Sequence, residues 1–182
     1  GMALDGKSFF YVNTLEVLPE ACHKDERKFH VKDIRQKWFG CACCPPNLAR
    51  TLSSVSSYAF TENDDTLFVH LYSGSDVKKK VNGQEVAVHI DSAFPWDGKV
   101  TVSVDGANVP LTLALRIPGW ANSYTVSADS SKYTIKDGYL YITRTWKKDE
   151  TLTLYFPMEI QVWNADTRVR EDIGKAAVTR GP

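Results

Sequence analysis

Four cysteines, Cys22, Cys41, Cys43 and Cys44, fall within the first 44 residues, and residues 45–182 contain none. A disulfide-stapled secreted fold spreads its bridges along the chain, and neighbours such as Cys43 and Cys44 can bridge each other only with considerable strain. Clustered thiols point instead to metal binding or nucleophilic chemistry. Cys43 and Cys44 stand immediately before a predicted helix, where unpaired amide hydrogens and the positive end of the helix dipole stabilise a thiolate. Zinc takes such thiolates at about 2.3 Å in a tetrahedral shell. A closed structural zinc site needs four ligands, however, and the cluster has no C-x-x-C knuckle, while His23, His30, His70 and His89 are scattered. The plain alternative is that the cysteines pack as small hydrophobes.

Other residue types that do chemistry are thinly supported. Trp96 and Trp120 sit in turn-rich contexts from which an exposed ring could stack on a sugar, but core packing is the expected reading, since buried tryptophan anchors many sandwiches. The acidic pairs Asp64-Asp65 and Asp149-Glu150 fall in loops between strands, where carboxylates are ordinarily solvated.

The elements that must position the cysteines change character at about residue 62. In residues 1–62 the apolar run Phe9-Phe10-Tyr11-Val12 reads as a strand, and the charged stretch from His23 to Lys37 reads as loop. Leu48, Leu52 and Val55, flanked by Ala49 and Tyr58, recur at helical spacing and predict a helix over roughly 46–59. The pair Pro45-Pro46 suits its start, where a missing amide hydrogen costs nothing. From residue 63 onward the period becomes two. Thr66–Tyr72, Gln84–Ile90, Lys99–Val104, Leu111–Ile117, Tyr139–Thr143 and Thr151–Phe156 read as strands, punctuated by Asn82-Gly83, Asp97-Gly98, Asp105-Gly106 and Asp137-Gly138. The hairpin over Tyr133–Ile142 is the clearest of these. Short, evenly spaced strands without intervening helices predict an antiparallel β-sandwich over 63–182. Residues 174–181 read as a strand-like approach with nothing after it to close a sheet, so the sandwich reads as truncated there.

Composition narrows the function classes. Lys plus Arg and Asp plus Glu are both 22, and the longest run of like charge is Lys78-Lys79-Lys80, so neither nucleic acid nor an anionic membrane has an electrostatic case. No apolar stretch approaches the roughly 20 residues that span a bilayer, and the N-terminus lacks signal-peptide features. Because the chain reads as an internal segment, this leaves the compartment unknown.

The segment Trp38-Phe39-Gly40-Cys41-Ala42-Cys43-Cys44-Pro45-Pro46-Asn47-Leu48-Ala49-Arg50 resembles the signature of the zinc- and cysteine-dependent beta-L-arabinofuranosidase family of glycoside hydrolases. Softer matches follow the same order: Leu4–Asn13, Phe94–Gly98, Leu115–Ala121 and Gly174–Pro182. The resemblance implies that residues 1–62 are the C-terminal end of a catalytic (α/α) barrel, a short strand, loop and helix preceding the mainly β sandwich. It implies a retaining cleavage of terminal furanosides, L-arabinofuranosides of plant polysaccharides above all, in which a zinc-bound cysteine attacks the anomeric carbon. Cys43 aligns with the nucleophile and zinc ligand, and Cys44 with a further zinc ligand. Tyr11 aligns with a segment near the family's active site and is a candidate substrate contact. Cys41 matches a motif cysteine without an assigned role, and Cys22, in Leu18–His23, does not resemble the upstream ligand motif.

The family's remaining zinc ligands and its general acid/base, a glutamate, have no counterpart in this chain. The expected partners are therefore a carbohydrate substrate and a missing N-terminal barrel domain. The segment by itself is expected to be inactive and to hold zinc weakly or not at all. Two rivals stay open: a non-catalytic sandwich that binds carbohydrate or supports another domain, and cysteines that form a structural metal site or none.

Overall fold

The structure, a computed structural model, describes residues 2–12, 17–24, 27, 30–40, 43–105, 108–129 and 132–182, with the backbone alone at Cys44 and Pro45. The chain forms two compact units, Gly1–Val55 and Ser56–Pro182.

The first unit has little regular structure before its helices, α1 (Pro19–Cys22) and α2 (Cys44–Ala59), the second of which continues across the division. The strand expected at 9–12 is absent. Phe9 makes only isolated bridges, to Met2 and to Gln36, because it exchanges hydrogen bonds with the single residue Gln36, at 2.9 and 3.0 Å, and the backbone bends at Tyr11 and Val12. The aromatic run instead packs on Phe39, whose ring lies 5.2 Å from that of Phe9 and 5.5 Å from that of Tyr11. Helix α2 starts two residues earlier than its periodicity predicts, and its apolar stripe of Leu48, Leu52, Val55 and Tyr58 is exposed.

The second unit is the sandwich. One sheet runs β1 (Phe60–Glu62), β2 (Thr66–Val69), β6 (Pro110–Arg116), β9 (Tyr139–Thr145), β8 (Thr134–Lys136); the other runs β3 (Ser75–Val81), β4 (Gln84–Ser92), β5 (Lys99–Asp105), β10 (Glu150–Tyr155), β7 (Thr125–Val126). Pairings are antiparallel except β2 with β6, which are parallel. Between them the chain builds β3, β4 and β5 on the opposite sheet, and such a crossover is what parallel neighbours require. A two-stranded ribbon of β11 (Ile160–Trp163) and β12 (Ala177–Arg180) follows, so the residues expected to approach an unclosed sheet pair with the preceding strand.

Period-two alternation fills the space between the sheets. Val86, Val88 and Ile90, Val100, Val102 and Val104, Leu111, Leu113 and Leu115, Leu140 and Ile142, and Leu152 and Leu154 are all buried in one cluster. Trp146 is fully buried with them and donates its indole N–H to the Leu111 carbonyl at 2.9 Å. Lys79 occupies an inward position of β3 with only 5% exposure, and its ammonium donates to the Asn63 carbonyl at 2.6 Å and pairs with Glu62 at 3.2 Å. Those partners offset the cost of taking the charge out of water, and an inward lysine on an edge strand discourages edge-to-edge pairing.

The turns obey different constraints. Asn82-Gly83 and Asp137-Gly138 have positive φ at both residues, the signature of a tight hairpin whose twist matches its strands. Gly98 serves another purpose, because a Cβ there would lie 1.9 Å from the Phe156 carbonyl oxygen. Gly106 lies outside the described residues.

On the outer face of the first sheet, His70 bridges the Tyr139 hydroxyl and the Thr61 hydroxyl, each at 2.7 Å. Burial, helped by the Arg116 charge, lowers its pKa from 6.5. The unfolded chain therefore takes up the His70 proton first on acidification, so this contribution to stability is complete above about pH 6.5 and is lost as pH falls through the lowered value. In paired urea titrations, His70→Gln is expected to show a shallower stability loss below pH 6.5 than the parent chain. Leu113→Ala is expected to cost about 2–5 kcal/mol in the same assay, the range for truncating a fully buried leucine.

Candidate active site

Cys43 is placed at the start of α2. Its carbonyl accepts the amide hydrogen of Asn47 at 3.3 Å, the first bond of the helix, which makes Cys43 the residue that caps it. Cys44 is accordingly the first residue of the helix, where the sequence pattern places it before the start; its side chain and the whole of Cys41 lie outside the described residues. Two features fix this turn. Arg50 donates to the Asn47 side-chain oxygen one turn away. The hydroxyls of Thr51, Ser53 and Ser54 bond to carbonyls one turn earlier, which satisfies polar side chains along an otherwise solvated helix.

The Cys43 thiol is exposed, and its sulfur lies 2.5 Å from the Tyr11 hydroxyl, a contact in which either atom can donate. Thirty-two residues separate the two in sequence. Tyr11 is held from behind by the buried Phe39 and from the side by His30, whose ring meets it edge-on at 5.3 Å. The structure thus brings together Tyr11 and Cys43, both singled out from the sequence, and adds His30, which sequence reasoning grouped with scattered histidines. Its only sequence signal was its residue type, because the loop that carries it has no periodicity. Cys22 closes the four-residue α1 and is half-buried, and among the described residues neither it nor Cys43 forms a disulfide.

The family resemblance implies a zinc ion, so the fit of the residues present matters. Among the described residues no group of three or more His, Cys, Asp or Glu side chains is gathered closely enough to hold a metal. The described donors therefore do not make a zinc site by themselves.

The remaining candidates separate cleanly. Trp120 packs against Phe94 and Phe156 at 6.0 and 6.3 Å, at the end of the core. Trp96 does not pack as expected and is 81% exposed. The chain turns tightly there, with the amides of Trp96 and Asp97 both donating to the Ala93 carbonyl at 2.8 and 3.2 Å, and the ring at the tip is left in solvent. The acidic pairs hold turns together: Asp65 accepts from the Thr66 hydroxyl at 3.0 Å, and Glu150 accepts from the Lys147 amide at 3.0 Å while pairing with Arg144. No helix is long and apolar enough to cross a membrane among the described residues.

Comparison with known proteins accounts for both units. Residues 66–158 match the family described as beta-L-arabinofuranosidase, GH127 middle domain, and residues 1–57 match beta-L-arabinofuranosidase, GH127 catalytic domain. The chain belongs to the GH127 beta-L-arabinofuranosidase family of glycoside hydrolases. Over its whole length it is 37% identical to a non-reducing end beta-L-arabinofuranosidase of Bifidobacterium longum subsp. longum, of which it covers 28%. The crystal structure of Ara127N-Se, a GH127 beta-L-arabinofuranosidase from Geobacillus Stearothermophilus T6, superposes with a TM-score of 0.83 at 47% identity, covering all of this chain and 29% of that one. A second solved GH127 beta-arabinofuranosidase gives a TM-score of 0.77 at 30% identity, again over the whole of this chain and 30% of the other. The chain spans less than a third of the length of these relatives.

Proposed function

We propose that this chain supplies the thiol half of the active site of a retaining furanosidase that removes terminal L-arabinofuranosyl residues from plant cell-wall glycans. The observation that carries the reading is the 2.5 Å approach of the Tyr11 hydroxyl to the Cys43 sulfur at the head of α2, inside the segment that matches the family's catalytic domain. In this scheme the Cys43 thiolate attacks the anomeric carbon, a carbon–sulfur bond forms, and the carbon–oxygen bond to the departing glycan breaks. The leaving oxygen takes a proton from an acid supplied by the rest of the parent protein. Water, deprotonated by the same group, then displaces the sulfur, and two inversions give net retention.

Tyr11 has a specific part. With Cys43 as thiolate, its O–H can only donate to the sulfur, which holds the nucleophile in one orientation beside the bound sugar. As the sulfur gives up its charge, that hydroxyl can donate to the ring oxygen or a sugar hydroxyl instead, which fits Tyr11 as a substrate contact. Zinc belongs, on this reading, to the intact parent, with Cys43 and Cys44 contributing ligands and the others coming from beyond this chain.

In the purified, zinc-replete parent, Cys43→Ala is expected to lower kcat by on the order of 10⁴-fold or more, as removal of a covalent nucleophile does elsewhere. Tyr11→Phe is expected to lower kcat/KM by about ten- to a hundredfold, the size of one hydrogen bond to a charged group. Unchanged furanosidase activity in Cys43→Ala would refute the nucleophile assignment. For the 182-residue chain alone, dialysis followed by metal analysis is expected to find well under one zinc per chain, and a stoichiometric, tightly held ion would show that the donor set is complete without the barrel.

A further inference from the structure

The sandwich carries a second place built like a ligand site, lined by no residue named for catalysis. On the outer face of the first sheet the register sets Phe68, Ala114 and Tyr141 in one row across β2, β6 and β9. Ala114 faces outward yet is fully buried, covered by the flanking rings, which meet edge-on at 6.2 Å. At the border of this aromatic row an open groove of about 390 Å³ is lined by Lys132, Tyr133, Thr134, Tyr141, Thr143 and Arg144. That volume falls in the range of roughly 300–1,000 Å³ typical of small-molecule clefts.

We infer that this groove binds a neutral oligosaccharide containing L-arabinofuranose. Two phenol rings in one groove offer flat apolar faces to the C–H face of a sugar, and their hydroxyls offer donors and acceptors at the rim. The two threonine hydroxyls and the two cationic side chains supply further partners for sugar hydroxyls, and the lining contains no carboxylate. Arg144 is already fixed, with its guanidinium 4.0 Å over the Trp146 ring and 3.0 Å from Glu150, so little of its rotamer freedom remains to be lost on binding. The same ion pair neutralises the Arg144 charge, one of the two in the lining, and the four neutral hydroxyl-bearing side chains of Tyr133, Thr134, Tyr141 and Thr143 favour a neutral glycan. The choice of arabinose rests on the furanosidase reading above, while the groove itself does not. It would act as a secondary site that keeps the parent on its polymer between cleavages.

The test is titration of the 182-residue chain with a linear arabino-oligosaccharide, followed by nuclear magnetic resonance. Saturable shifts confined to the groove residues are expected, with binding weakened at least tenfold by Tyr141→Ala. Because the Tyr141 ring also covers Ala114, Thr134→Arg provides a second variant that fills the groove from an exposed position without removing a packed side chain, and it is expected to weaken binding equally. Cys43→Ala is expected to bind as the parent chain does, so failure of the catalytic reading would leave this result untouched. In the intact parent, Tyr141→Ala is expected to reduce retention on insoluble arabinan while turnover of a small soluble furanoside is unchanged. No saturable binding, binding indifferent to both variants, or equal retention by parent and variant because another domain covers the groove would each overturn the proposal.

Discussion

Two sheets can share a core only if each presents an unbroken apolar face, and almost everything in the larger unit follows from meeting that condition. From Leu67 to Phe156 the inward positions are valine, leucine or isoleucine with few exceptions, and the register between neighbouring strands keeps them in facing rows. A slip of one residue in any strand would turn its apolar set outward, so the pattern fixes the pairing as well as the burial. The exceptions are informative. Lys79 takes an inward place only because Glu62 and Asn63 meet its ammonium, and Gly98 is held by the close approach of Phe156. With one face committed to the core, the other is left free to carry aromatic and polar groups, and the first sheet uses it for a cluster of Phe68, His70, Tyr139 and Tyr141.

The smaller unit works by a different logic. Among its described residues there is no continuous apolar layer, and aromatic contacts gather around Phe39 near the head of α2. A cysteine that caps a helix has its carbonyl engaged and its side chain turned toward whatever lies before the helix. Here that is Tyr11, delivered by a bent segment and steadied by Phe39 and His30. The apolar stripe of α2, Leu48, Leu52, Val55 and Tyr58, is exposed.

The fold was legible where periodicity is undisturbed. The six strands read from alternation are all present, within a few residues at their ends, and the hairpins at Asn82-Gly83 and Asp137-Gly138 turn where they should. β3 was missed because Lys78, Lys79 and Lys80 disguise an alternation of Val77, Lys79 and Val81 that only the buried ammonium's partners make possible. β1 and β7 are too short to show a period, and the strand expected at Phe9–Val12 fails because an apolar run specifies burial but not a pairing partner. At the candidate site, residue type and a family resemblance singled out Cys43 and Tyr11, but their contact spans a loop without pattern, so neither it nor the place of His30 beside it could be read from spacing. Trp96 and Trp120 show the same limit from the other side: similar turn contexts place one ring in solvent and the other against the core.

The proposed activity turns on one bond, that between the Cys43 sulfur and the sugar's anomeric carbon. The most direct measurement is to treat the intact parent with an activated arabinofuranoside whose second step is slowed by fluorine on the ring, digest it, and map the adduct by mass spectrometry. A glycosyl mass on the peptide carrying Cys43, lost in Cys43→Ser, is the predicted result. An adduct on a carboxylate-bearing peptide, with Cys43 unmodified, would contradict it.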